Sequence, residues 1–367
     1  MRLVWAIVSA IVETTEDFQQ LTVVLDDGTT GQAINYVGLS GACAIADRVL
    51  LNTTAVDLDL GTGGLHFVVA RQGLGEGVML DDPSGGHIMK MRYTPLQRDV
   101  LAVESPESPH HAVMAAAEDL AGMPVVCCGL HSQVPLVAAA VKQADPALRV
   151  VYCMTDEAAL AIALSSVVRD SVSSGLVDAT VSCGQAFGGR YEAVNLHSGL
   201  LAARHVAHGD VAVVAIGPGV VGTTTPFGHG GIAQGEALNA AAVLGGFPIA
   251  CLRISFADKR ERHRVVSHHS LTALTRVTLA RVVVAVPSLP DDYARQLESA
   301  LDGAGVWVRH DRGDSSAGSV PPPDMRGVLV TTMGRGLADD PAFFASAYAA
   351  GEVAARTSVG DVSDKGL

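Results

Sequence analysis

"DVAVVAIGPGVVGTTTPFGHGGIAQGEALNA" (210–240) decides the fold. Within its first eight residues, "VAVVAI" (211–216) is a continuous apolar run, the signature of a strand buried on both faces of a parallel sheet. Its last part, "GIAQGEALNA", is Ala/Leu-rich and reads as a helix. Between them lie glycines and three consecutive threonines, Thr223 to Thr225. Strand, loop and helix in that order form half of a βα unit, and the loop falls where parallel sheets bind their ligands.

The same alternation extends outward. Strand-like runs recur at "PVVCCGL" (124–130), "RVVYCM" (149–154), "ATVSCG" (179–184), "FPIACLRIS" (247–255), "RVVVAVPS" (281–288), "GVWVRHD" (305–311) and "GVLVTTMG" (327–334). Helices are expected in "VPLVAAAVKQA" (134–144), "DEAALAIALSSVVRDS" (156–171), "YEAVNLHSGLLAARHVAH" (191–208) and "LPDDYARQLESALDGA" (289–304). The last has Pro290 and Asp291 near its start and Gly303 near its end, the usual helix punctuation. The expected fold class is α/β, a mostly parallel sheet with helices on both faces.

Residues 1–103 read differently. "RLVWAIVSAIVET" and "QQLTVVLDDGTTGQAINYVG" are strand-rich, and Asp27-Gly28 is a hairpin signal. Short strands without a helical period predict a small all-β, barrel-like domain. "VESPESPHHAV" (103–113) reads as a linker or a capped helix start, 112–358 as the α/β domain, and 359–367 as a frayed tail.

Composition narrows the function classes. Of 367 residues 49% are hydrophobic but only 4% aromatic, so Ala, Val, Leu and Gly must fill the core. A net charge of −13 argues against nucleic-acid binding, which needs a basic surface. The six cysteines make no CxxC pair and read as buried free thiols in a reducing compartment. Cys183, in "SCGQAFGG", is the one weighed as a nucleophile. The N-terminal apolar run is followed at once by acidic residues and lacks a signal-peptide cleavage pattern, and no uninterrupted apolar window is long enough to span a membrane. A cytoplasmic protein is expected, with no membrane partner. Ala-rich helical surfaces leave room for a homodimer.

Polar, Gly-rich or titratable residues follow strand after strand, which predicts a site at the sheet's carboxyl edge. Gly217, Gly219, Gly222, Thr223 and Thr224 would cradle an anion, with Gln185 beside them. "RISFADKRERHR" (253–264) sets five basic residues against two acidic ones. Arg253 lies inside an apolar strand, where a guanidinium needs a carboxylate or an anionic ligand. Arg260 and Asp258 belong to the same stretch, read either as a cationic wall or as a solvated helix start. His131, His263 and His268 are the expected proton carriers. A metal site is not expected, because no HxH or HxxxH pair occurs and adjacent histidines cannot both point inward from one helix. Asp156 and Glu157 read as a helix cap rather than an acid/base pair. In the β domain His87, Lys90 and Arg92 alternate as they would on one strand face. The ligand class is a small phosphate- or carboxylate-bearing molecule, handled by a transferase or hydrolase. The alternative is a non-catalytic ligand sensor or assembly scaffold; the cofactor is unknown.

Several long stretches carry a family resemblance: "LLNTTAVDLDLGTGGLHFVVA" (50–70), "GGHIMKMRYTPLQRDVLAVESPESPHH" (85–111), "GLHSQVP" (129–135), "TDEAALAIALS" (155–165), "SCGQAFGGRYEAVNLHSGLLAA" (182–203), "RISFADKRERHRVVSHHS" (253–270) and "TTMGRG" (331–336). With the 217–240 loop, they resemble the bacterial domain-of-unknown-function family 3866 over nearly the whole chain. The resemblance implies a bacterial cytoplasmic protein and brings no established activity, ligand or catalytic residue. "GHGG" (228–231) departs from the family pattern, which leaves His229 outside the expected set.

Overall fold

A computed structural model describes residues 1–59, 63–73, 85–315 and 322–358. The chain divides into two compact units, Met1–Leu101 and Ala102–Leu367.

In the first unit five strands close a barrel: β1 (Leu3–Thr14), β2 (Phe18–Leu25), β3 (Thr30–Tyr36), β4 (Arg48–Asn52) and β5 (Leu65–Arg71). The order is β1-β2-β3-β5-β4, antiparallel except where β3 meets β5. Alternate residues point inward, so Ala6, Val8, Leu21, Val23, Val49 and Leu51 fill the barrel. At the β2–β3 hairpin the Asp27 carboxylate accepts from the Thr29 amide (2.9 Å) and hydroxyl (2.6 Å), fixing the expected turn. A short antiparallel pair, β6 (Ile88–Lys90) and β7 (Arg98–Val100), follows. Lys90 is buried there while Arg92 is exposed, so the basic residues do not form one strand face. Residues 60–62 of "LLNTTAVDLDLGTGGLHFVVA" and the whole 359–367 tail lie outside the described residues.

The second unit is built on an all-parallel, eight-stranded sheet. Its strands are β8 (Pro124–Cys128), β9 (Val150–Thr155), β10 (Ala179–Cys183), β11 (Tyr191–Ala193), β12 (Val211–Ile216), β13 (Phe247–Cys251), β16 (Val283–Val286) and β17 (Asp311–Asp314). A small antiparallel pair, β14 (Ile254–Ser255) and β15 (Val265–Val266), stands apart. The sheet order is β11-β10-β9-β12-β8-β13-β16-β17. The central strands are buried along their whole length, as their unbroken apolar runs require.

Strand residues alternate between two cores. Val126, Tyr152, Met154 and Val213 pack on α1 (Val134–Ala144), α2 (Ser166–Ser173) and α6 (Pro341–Ser358). Val125, Cys153, Ala212 and Val214 pack on α3 (Leu196–His205), α4 (Ile232–Val243) and α5 (Asp291–Gly303). β12 lies between β9 and β8, yet its connection leads to α4 on one face while theirs lead to α2 and α1 on the other. Such a reversal opens a crevice at the carboxyl ends of the strands.

Several expected elements differ. Residues 156–161 are loop, and α2 starts only at Ser166. Ala161 and its neighbours bond to Phe187 instead: Ile162 N donates to Phe187 O (3.0 Å) and Phe187 N to Leu160 O (2.9 Å). These tertiary bonds outweigh the helical propensity of "EAALA". Residues 191–193, expected in a helix, form strand β11. "GVWVRHD" is a helical turn, Val306–Arg309, and the strand that follows is the charged edge strand β17, which carries no apolar run. "GVLVTTMG" forms no strand; Val328 is buried in the core and Val330 packs against it, while Leu329 between them is 86% exposed. The segment from 103 is no free linker, because Val103 N bonds Glu192 O and a helix begins at His111. Helix α6 is not among the expected elements.

Candidate functional site

The loop after β12 turns at once onto its neighbour. A Cβ at Gly217 would lie 2.4 Å from Ala159 O, so this glycine permits two backbones to touch. Ala159 N returns a bond to Pro218 O (3.1 Å). Gly219 is left-handed (φ +95°). The threonine tip folds on itself: Thr223 Oγ1 donates to Gly228 O (2.9 Å), and Gly228 N donates to Thr225 Oγ1 (3.1 Å). A single bridge between Gly222 and His229 closes this tip. The hydroxyls of Thr223 and Thr225 therefore shape the loop, while Thr224 is exposed.

That closure sends His229 back against the histidines of 263–269. Ring centroids lie 3.8 Å apart for His229 and His269, 5.3 Å for His229 and His268, and 4.4 Å for His268 and His269. His263 stands 4.9 Å from His269 and 5.1 Å from His268. The helical-wheel argument against such a cluster fails because the rings come from three segments: His229 from the loop after β12, His268 and His269 from the start of one short helix, and His263 from neither. It sits in a 3-10 turn (Glu261–His263), β15 intervenes, and the one-turn helix His268–Thr272 starts behind Ser267. Ser267 Oγ accepts from His269 N (3.2 Å) and bonds His263 Nδ1 (2.8 Å), holding both ends of the cluster. Burial, then the neighbouring imidazoles and Arg253, push His269 well below the ordinary histidine value. Burial first and Arg253 second push His263 down to about 3. The rings are neutral near pH 7.

Arg253 is the hinge between this cluster and a cationic one. Its own amide donates to Ser270 Oγ (3.0 Å), and its carbonyl accepts from Ser267 N (2.9 Å). Its guanidinium is 5% exposed and faces Asp258 at 3.6 Å. Asp258 also takes Arg260 in a two-pronged pair (3.0 and 2.8 Å) and Arg335 at 3.5 Å. Arg335 reaches Asp340 at 3.1 Å, and Asp340 accepts from Ser255 Oγ (2.7 Å). Three guanidiniums thus share two carboxylates, which leaves one positive charge in excess. Burial pushes Arg253 down to about 10, aided by repulsion from Arg260. The hydrogen bonds from Arg260 hold Asp258 well below the carboxylate range. Asp258 binds cations of the protein itself. Arg335 is not among the expected site residues, although it lies in a loop at the expected edge; only the turn closed between Thr332 and Arg335 brings it here.

His131 stands apart. Its Nε2 meets Ser165 Oγ at 2.6 Å, and its Nδ1 lies 3.2 Å from Tyr152 OH and 3.3 Å from Ile216 O. Burial pushes it down to about 4. A serine and an imidazole at this distance resemble a nucleophile and its base. Yet Ser165 is buried and caps α2 by accepting from Val168 N (3.1 Å), so its role is structural. Asp156 caps no helix; it accepts from Gln185 N (2.6 Å) and ties two neighbouring loops together. Cys183 is buried against Gly199, where a Cβ would lie 2.3 Å from its Sγ, and all six cysteines are buried and outside any disulfide.

Two glutamines outside the expected set hold the strand ends. Gln234 Nε2, from α4, donates to Cys127 O (2.8 Å) and Cys251 O (2.7 Å), and Gln133 Nε2 donates to Leu252 O (2.8 Å). These buried amides thus supply side-chain donors to carbonyls near the carboxyl ends of β8 and β13. The crevice beside Gln234, lined by Cys128, Thr155, Ile216 and Gly230, is a cavity of about 10 Å³, close to the space of one water. A crevice of that size has no room for a phosphate- or carboxylate-bearing molecule.

Among the described residues no helix is long and apolar enough to cross a membrane. Among curated proteins and among solved structures, nothing matches this chain. A family model described as a protein of unknown function (DUF3866) matches residues 32–351 of the 367, and the chain belongs to that family.

Proposed function

We propose that the α/β unit binds a small phosphate- or carboxylate-bearing ligand at the rim formed by Arg253, Arg260 and Arg335. The observation that carries this reading is the unmatched guanidinium: three arginines on two carboxylates, one of them buried beside neutral imidazoles. A buried cation without full compensation is costly unless an anion completes it. Guanidinium also matches phosphate and carboxylate oxygens two at a time. If the ligand is turned over, hydrolysis or group transfer suits this setting, and His268 is the proton carrier with a ring nitrogen, Nε2, to spare.

A ligand sensor without turnover is the second reading. It is supported by His131 and His263, whose ring nitrogens are already engaged by protein groups. Thermal unfolding of the full chain with inorganic phosphate, phosphorylated metabolites, nucleotides and dicarboxylates tests both readings. At least one compound should raise the midpoint, and Arg253→Met should abolish the rise. A flat response across the panel removes the proposal. His268→Ala separates the readings: an enzyme keeps affinity and loses turnover.

A further inference from the structure

The histidine cluster has a property that anion binding does not use. His229 Nδ1, His268 Nε2 and His269 Nδ1 are buried, and none has a hydrogen-bond partner among the described residues. One orphaned polar atom in a fold is ordinary; three on adjoining rings require a shared explanation. One nitrogen from each ring lies within 4.8 Å of the other two. We propose that His229, His268 and His269 bind a divalent transition-metal ion of the zinc class; anion binding by the arginines does not depend on it, but a His268 that ligates metal through Nε2 is a ligand in place of a proton carrier.

Donor chemistry selects that class. Three neutral imidazoles suit zinc, cobalt, nickel or copper, whereas magnesium and calcium demand oxygen. His229 is already oriented for coordination. Its Nε2 lies 3.1 Å from Pro226 O, which places the ring proton there and leaves the Nδ1 lone pair without a partner. Metal-bound histidines characteristically spend their second nitrogen on such a carbonyl. His263 is outside the donor set, because Ser267 Oγ and Arg262 Nε engage its two nitrogens.

Geometry sets a condition on loading. Zinc bonded at about 2.0–2.1 Å holds its ligand nitrogens roughly 3.4 Å apart, so the trio closes by about 1.4 Å at most. His229 and His269 lie nearly parallel, 7° apart, which aims their lone pairs side by side. Coordination therefore swings one ring out of the stack. Gly231 leaves the space, since a Cβ there would stand 3.0 Å from His229 Nδ1 and 2.9 Å from His269 Cβ. Three protein nitrogens leave a fourth position free. Beside Arg253, with no carboxylate among the donors, that position takes hydroxide or an oxygen of an anion.

The test uses the full-length, untagged chain, stripped by a chelator, then titrated with Zn²⁺ by calorimetry and with Co²⁺ by absorption. One equivalent should bind. The cobalt form should show the visible bands of a low-coordinate nitrogen site and no thiolate charge-transfer band. His229→Ala, His268→Ala and His269→Ala should each weaken binding at least about 100-fold, more than the loss of an outer-shell partner. His197→Ala, on the exposed side of α3, should change nothing. Gly231→Ala keeps every imidazole and should still weaken binding about tenfold or more, so the inference stays testable if an alanine variant misfolds. It is overturned if the native chain takes up no stoichiometric Zn²⁺, if a thiolate band appears, or if binding survives all three histidine replacements.

Discussion

Gly231 lies directly against His229, with the position of a Cβ 3.0 Å from Nδ1 of that imidazole. Its backbone is ordinary (φ −64°), so the glycine is there for space and not for an unusual conformation. Gly→Ala at an unstrained, open helix start usually stabilises a protein by about 0.4–1 kcal/mol. Here the sign should reverse. Gly231→Ala should destabilise by about 1–3 kcal/mol, the usual cost of overpacking, measured by urea unfolding. A gain in stability would mean that the histidine cluster gives way freely.

Acid should weaken the fold before the carboxylates titrate. His131 is held at about 4 against an ordinary 6.5, mainly by burial. Above pH 6.5 it is neutral in both folded and unfolded chains and contributes nothing to the balance. As pH falls from about 6.5 towards about 4, the unfolded chain takes up a proton that the fold refuses, so stability drops by on the order of 3 kcal/mol at most. His263 and His269 act in the same direction. Denaturant curves between pH 7 and 4.5 should show this fall, and His131→Gln should make it shallower by about one proton. A flat profile through the window contradicts the burial argument.

Asp258→Asn should be among the most damaging single changes. It leaves Arg253, Arg260 and Arg335 with Asp340 as their remaining carboxylate. Removing one partner of a buried charge network costs about 3–5 kcal/mol. Sulfate or phosphate should restore part of the loss by supplying the missing charge, and chloride at equal ionic strength should restore less. Equal rescue by both salts would point to general screening instead.

Gln234→Leu removes the amide that serves Cys127 O and Cys251 O. Two buried carbonyls lose a donor, and a buried polar group left unsatisfied costs about 1–3 kcal/mol. Unfolding in urea should register a loss of several kcal/mol despite the gain in apolar volume. A neutral result would mean that solvent or a backbone shift replaces the amide.

Periodicity made much of the architecture legible. Unbroken runs such as "VAVVAI" (211–216) can bury both faces only inside a parallel sheet, and "DDYARQLESALDG" (291–303) carries its own start and stop. The misplaced elements share one cause. β17 is an edge strand of charged residues, and "EAALA" gives its backbone bonds to Phe187 rather than to itself. Neither effect leaves a local trace.

By itself the sequence determined the two-part plan, the parallel sheet, and the carboxyl edge as the place where polar loops gather; these follow from short-range patterns of burial and chain direction. Only the tertiary structure decided which groups meet. It committed Thr223 to the loop, Asp258 to three arginines and His131 to Ser165, and it brought His229 onto His269 from a separate loop. Contacts between distant segments depend on how loops close over a core, and no local pattern encodes that closure.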